Sequence, residues 1–220
     1  MMHRTGSELI DGPAGALEVV IEPPTLAEGQ APLGLAVIGH PHPLMGGTMD
    51  NKVVTTLSRA FVLEGWAAVR FNFRGVGRSE AMWDEGRGEQ DDLLAVLAHH
   101  RTDPAWRHLP AALSGFSFGG FVAASCAKRL TDQGQALQAL ALISPATRFG
   151  MPDVLPETLV VQGEKDDVVP MADMLDWARP QGLPITVVPG AGHFFHGQLP
   201  TLRQLVRQYL LARRPSPHGA

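Results

Sequence analysis

The sequence predicts an α/β protein: a doubly wound, mostly parallel sheet of about seven or eight strands, with helices on both faces and no lid domain. Three observations carry this. Short apolar runs alternate with longer segments of helical spacing, the pattern of parallel strands joined by crossover helices. Gly34-Leu-Ala-Val-Ile-Gly39 is apolar throughout, as suits a strand buried on both faces. A serine, an aspartate and a histidine each stand just past the end of a strand-like run, at Ser117, Asp166 and His193.

Leu17 to Ile21 reads as the first strand, bounded by Pro23-Pro24, and Gly34 to Gly39 as the second. Asp50 to Leu63 places Val53, Val54, Leu57, Ala60 and Phe61 at helical spacing and ends before Gly65. Trp66 to Phe73 is the next strand, and Glu89 to His100 is a helix with Leu93, Leu94, Val96 and Leu97 inside. Pro110 to Gly115 is a strand that runs into Gly115-Phe-Ser-Phe-Gly119, and Phe118 to Leu130 follows at once as a helix. Leu137 to Ile143, Thr158 to Gly163 and Ile185 to Pro189 are the remaining strands. Val169 to Arg179 and Pro200 to Arg213 are helices flanking the last of them, and the tail from Arg214, with two prolines, is expected to be loose. No internal repeat or linker-like stretch divides the chain, so residues 1–220 read as one domain.

Composition narrows the function classes. The net charge is −4 and the basic residues are scattered, which offers no footprint for nucleic acid or an anionic membrane. No apolar run approaches the ~18 residues of a membrane span. The start, Met1-Met-His-Arg-Thr-Gly-Ser-Glu, holds no apolar stretch suited to a signal peptide, so a cytoplasmic protein is expected. Cys126 is the single cysteine; it can form no internal disulfide or thiolate cage, and its place on an apolar run reads as core packing. Nothing in the sequence sets an oligomeric state.

Chemistry enters at residues 115–119. A serine between two glycines, with a strand before and a helix after, is the pattern of a sharp turn that lifts a strained nucleophile above a sheet edge. In so tight a turn the strand end approaches the first helical turn, and a Cβ at Gly115 or Gly119 would clash. A serine hydroxyl near neutral pH needs a base within hydrogen-bonding reach. His193 is suited to that task because imidazole titrates near neutrality. An acid must then orient the ring and stabilise its cation; Asp166 and Asp167 are the candidates. Parallel strands share one C-terminal rim, so residues far apart in sequence converge there.

With these motifs in order, the chain resembles the α/β-hydrolase superfamily, and more narrowly small lidless bacterial serine hydrolases related to dienelactone hydrolases. The narrower resemblance rests on His40-Pro-His-Pro-Leu-Met-Gly-Gly-Thr-Met-Asp-Asn-Lys-Val-Val54, on Arg70-Phe-Asn-Phe-Arg-Gly-Val-Gly-Arg-Ser79 and on Gly115-Phe-Ser-Phe-Gly-Gly120, and it spans about residues 15–212. It departs from the His-Gly start of many superfamily members at the loop after Gly39. The resemblance implies a Ser117–His193–Asp166 triad acting through an acyl-enzyme, with Asp166 at the family position of the acid. One oxyanion donor would be the Phe118 N–H. The other would come from the loop after Gly39, where Pro41 and Pro43 have no N–H; His42 is the first choice and Leu44 the second. The interval Ser144–Glu157 is too short for a lid, so the site should be open to solvent.

A small soluble ester or thioester is the expected partner, with no nucleic acid and no membrane. Leu44, Met45 and Phe194 are expected to contact it, and Arg74 and Arg78 are the candidates for meeting a substrate carboxylate. Neither His40-x-His42 nor His193-x-x-His196 has a third ligand at recognisable spacing, so no metal is expected. Gly75-Val-Gly77-Arg-Ser-Glu80 lacks the third glycine of a dinucleotide loop, so no cofactor is expected either. Carboxylic ester hydrolysis is therefore the leading function. The alternatives are a thioesterase or peptidase with the same triad, and a binding protein that keeps only the fold.

Overall fold

The computed structural model describes residues 6–27 and 30–214. Eight strands form one sheet: β1 (Glu8–Gly12), β2 (Gly15–Glu22), β3 (Gly34–Gly39), β4 (Trp66–Phe71), β5 (Ala111–Phe116), β6 (Ala139–Ile143), β7 (Leu159–Gly163) and β8 (Thr186–Val188). Their spatial order is β1-β2-β4-β3-β5-β6-β7-β8. β1, β2 and β4 pair antiparallel, and every pair from β4·β3 to β7·β8 is parallel. The mostly parallel, doubly wound architecture is thus as the sequence predicts.

The strand missing from the sequence reading is β1. Its segment, Glu8-Leu-Ile-Asp-Gly, buries only Ile10, because it is an edge strand with one neighbour. A single inward residue leaves no alternation to detect.

Two cores follow from the period of two along the buried strands. Leu35 and Val37 of β3 face one core, together with α2 (Arg87–His100), α3 (Phe118–Asp132) and α4 (Met171–Ala178). Ala36 and Ile38 face the other, together with α1 (Lys52–Leu63) and α5 (Leu199–Ala212). Cys126 is fully buried in the first core, a packing position. α1 begins two residues later than its apolar spacing suggests, because Asn51 caps it through the Val53 N–H at 2.9 Å. Pro170 precedes α4 in an extended conformation, which delays that helix to Met171. Between β6 and β7 the only regular element is a 3-10 turn at Thr147–Phe149, so no lid is inserted there, and none covers the rim among the described residues. Of the expected loose tail, residues 215–220 lie outside the described residues.

Candidate active site

β5 ends on Phe116, and Ser117 turns the chain into α3 with φ 55° and ψ −117°, a strained backbone for a residue with a Cβ. The turn is held from three sides. Ser117 N–H donates to Ile143 C=O at 2.9 Å, and Ser117 C=O accepts from the Gly120, Phe121 and Ala146 amides. The flanking glycines are sterically required. A Cβ on Gly115 would lie 2.0 Å from Gly119 C=O oxygen, and one on Gly119 would lie 2.3 Å from the Gly39 carbonyl. The close approach of β3, β5 and α3 therefore selects glycine at both places.

Asp166 and His193 meet because the loops after β7 and β8 are tied together. Glu164 N–H donates to Val188 C=O at 3.1 Å, Lys165 N–H to Ala191 C=O at 2.8 Å, and Gly190 N–H to the Glu164 carboxylate at 2.7 Å. Gly163 allows this approach, since a Cβ there would sit 2.6 Å from Ala191 C=O oxygen. The result is a buried pair, His193 Nδ1 to Asp166 Oδ2 at 2.8 Å. The other oxygen, Oδ1, accepts the Val168 and Val169 amides at 3.0 and 2.8 Å. Burial by itself pushes the Asp166 pKa up, but the bonds from His193 and the Val169 N–H outweigh it and hold the carboxyl below its ordinary 3.8. Asp167, the rival acid, is exposed and has no hydrogen bond to His193.

The His193 ring packs on Phe116, the residue before the serine, with centroids 4.7 Å apart. Among the described residues no hydrogen bond joins Ser117 Oγ to His193. Such bonds commonly tighten only when substrate is present.

The loop after β3 is ordered by its histidines. His40 is fully buried; its Nδ1 lies 2.6 Å from Pro41 C=O, and its Nε2 accepts the Phe73 N–H at 3.0 Å. That fixes the neutral tautomer with the proton on Nδ1, and burial lowers its pKa from 6.5 to about 4. In the following turn, Leu44 N–H donates to His42 Nδ1, Met45 and Gly47 N–H to His42 C=O, and Gly46 N–H to Pro43 C=O. The His42 and Phe118 amides donate to no other group among the described residues.

His42, Ser117 and Phe118 line one cleft with Ala146, Phe149 and Val168, a cavity of about 80 Å³. Its wall is aromatic: the His42 ring stacks on Trp83 at 4.5 Å and lies 5.3 Å from Phe118 and 5.7 Å from Phe149. Leu44, Met45 and Phe194 stand outside this cleft as exposed residues, Met45 being 80% accessible. Arg74 is withdrawn from any carboxylate-binding role, because it is buried and chelates Asp92 at 2.7 and 3.0 Å. Arg78 bonds through its side chain to Ser7 and through its amide to Glu18. Phe149 is one of the apolar residues that the sequence places near the rim, whereas Ala146 and Val168 escape that reading although they follow strand ends, the same signal that located Asp166 and His193. Among the described residues, no cluster of His, Cys, Asp and Glu could hold a metal ion.

A strained serine at a strand-to-helix turn, beside an Asp–His pair on a lidless parallel-sheet rim, defines the α/β-hydrolase class. The comparisons agree. The family model described as "Serine aminopeptidase, S33" matches residues 44–157, just over half of the chain. An α/β serine hydrolase homologue from Coxiella burnetii is 39% identical over 96% of this chain and 99% of its own, with a TM-score of 0.80. An α/β serine hydrolase without a lid from Xanthomonas campestris is 34% identical, covers 98% of both chains and has a TM-score of 0.85. The dienelactone hydrolase from Anabaena variabilis shares the fold at 18% identity, with a TM-score of 0.73 over 96% of this chain and 98% of its own. The chain belongs to the α/β serine hydrolases.

Proposed function

We propose that this protein cleaves a small carboxylic ester through an acyl-enzyme, with Ser117 as nucleophile, His193 as general base and acid, and Asp166 orienting the imidazole. The Asp166–His193 pair at 2.8 Å, set against the serine-bearing turn, carries this reading. With its Nδ1 proton held by Asp166, His193 presents Nε2 as the acceptor for the serine proton. Oγ attacks the carbonyl, and the tetrahedral oxyanion is held by the Phe118 and His42 amides, each worth about 3 kcal/mol of barrier by analogy with a measured donor. His193 then protonates the leaving alkoxide, and a water activated by the same ring releases the acid.

His42 is favoured over Leu44 as the second donor, because the Leu44 N–H is already taken by the His42 ring. The small cleft suits a short or flat acyl group. Leu44, Met45 and Phe194, exposed on the surface, would meet the leaving group. A soluble small molecule handled in the cytoplasm completes the reading; no helix among the described residues is long and apolar enough to cross a membrane.

The test is intact mass after incubation with a fluorophosphonate, with peptide mapping. One adduct on Ser117, lost in His193→Ala, is expected, followed by turnover on an ester, thioester and amide panel in which esters lead. Folded protein that takes no adduct and turns over none of the panel would overturn the proposal.

A further inference from the structure

The side chain of His42 is not used by the mechanism above, which takes only its amide. Yet the ring sits inside the cleft beside Ser117, half-buried, and stacks on Trp83. Its Nδ1 accepts the Leu44 N–H at 3.2 Å, and its carbonyl accepts the Met45 and Gly47 amides. Every N–H from Leu44 to Gly47 is therefore turned inward on the loop, which leaves the His42 amide as the donor not consumed by it.

We infer that the His42 imidazole is a positioning residue: in its neutral form, with the proton on Nε2, it locks the 42–47 turn in the shape that offers the His42 amide to the oxyanion. This rests on the reaction proposed above. Protonation would set an Nδ1–H against the Leu44 N–H, two donors facing each other, and the turn would lose its anchor. The surroundings oppose that cation. Phe118, Phe149 and Trp83 pack against the ring and shield part of it from solvent, and Arg148 from the 147–149 turn lies near enough to repel a cation there. Burial first and Arg148 second lower the His42 pKa from its ordinary 6.5. Across the cleft, Asp173 lines the opposite side from the first turn of α4, where a carboxylate is favoured by the helix dipole. Asp84 and Glu85, next to Trp83, pair with Arg87.

Two imidazoles must then be neutral for turnover, His193 as base and His42 as anchor. The acid limb of log kcat/KM against pH should steepen from a slope of one to a limiting slope of two. In His42→Phe, which keeps an aromatic ring but no acceptor, the limb should stay at slope one, with kcat down about tenfold or more and KM nearly unchanged. His42→Asn, whose carboxamide oxygen can accept the same N–H as a cap does, should recover part of that loss and also show slope one. In the wild type, the Leu44 amide resonance should move with the midpoint of the His42 ring titration. Intrinsic fluorescence at each pH confirms that the variants are folded. A wild-type limb of slope one while the protein stays folded, or a Leu44 amide indifferent to His42 titration, overturns the inference. Should Ser117→Ala keep its turnover, the reaction reading itself fails; should it be inactive while these slopes do not change, only the role of His42 fails.

Discussion

Protonating His40 should cost the fold stability in a defined pH window. The ring is fully buried, its Nδ1–H is committed to Pro41 C=O at 2.6 Å, and its Nε2 accepts the Phe73 N–H at 3.0 Å. A second ring proton would face the Phe73 N–H donor at a position fully buried from solvent. Burial accordingly lowers the pKa from 6.5 to about 4. Because the folded value lies below the unfolded one, the unfolded chain binds the proton first. Stability is therefore unaffected above pH 6.5, falls as the pH drops from 6.5 towards 4, and levels off below. At 1.36 kcal/mol per pH unit, that interval corresponds to about 3 kcal/mol. Urea unfolding at several pH values between 7.5 and 4 measures it. His42 and His100, whose pKa values are also lowered by burial, add a fall of the same sign, so the difference between wild type and His40→Gln is the quantity to read. Glutamine offers one acceptor and one donor but no titration; its pH profile should be flatter by about 3 kcal/mol over the window, whatever its stability at pH 7.5. Parallel profiles for the two proteins would refute the reasoning.

Asp166→Asn should keep an oxygen for the Val168 and Val169 amides while presenting an NH₂ to His193 Nδ1, which forces the wrong tautomer. A fall in kcat of about 10⁴-fold is expected, with stability nearly unchanged, as read by ester kinetics and urea melts. Ser117→Gly should abolish the fluorophosphonate adduct yet raise stability by about 1 kcal/mol or more, since glycine relieves the φ of 55°; a less stable variant would show that the turn is not strained. Gly119→Ala should destabilise by about 3 kcal/mol or more in thermal melts, because its Cβ would meet the Gly39 carbonyl at 2.3 Å, backbone against backbone.

Much of this molecule is legible in one dimension. Seven of the strands announce themselves as apolar runs because both sheet faces are covered, and Ser117, the Asp166-Asp167 pair and His193 stand out as candidates by following those runs. The Gly115 requirement is local as well, since its Cβ would meet the Gly119 carbonyl in the same turn, whereas Gly119 answers to the Gly39 carbonyl of β3, a neighbour only in the folded chain. Edge strand β1 stayed hidden for the opposite reason, as one buried residue makes no pattern.

Asp166 and Asp167 are adjacent carboxylates of identical chemistry, and only the tertiary structure shows which of them meets His193. The ties from Glu164 and Lys165 to the β8 loop orient one towards His193 and leave the other exposed. It likewise withdrew Arg74 into a pair with Asp92, and brought Trp83, Phe118 and Phe149 around the ring of His42. Chain order determines which residues arrive at the rim, because each strand delivers its own end there. Which way a side chain then turns depends on the loop beside it, and that neighbour is chosen by strand order in the sheet, a pairing that no local pattern encodes.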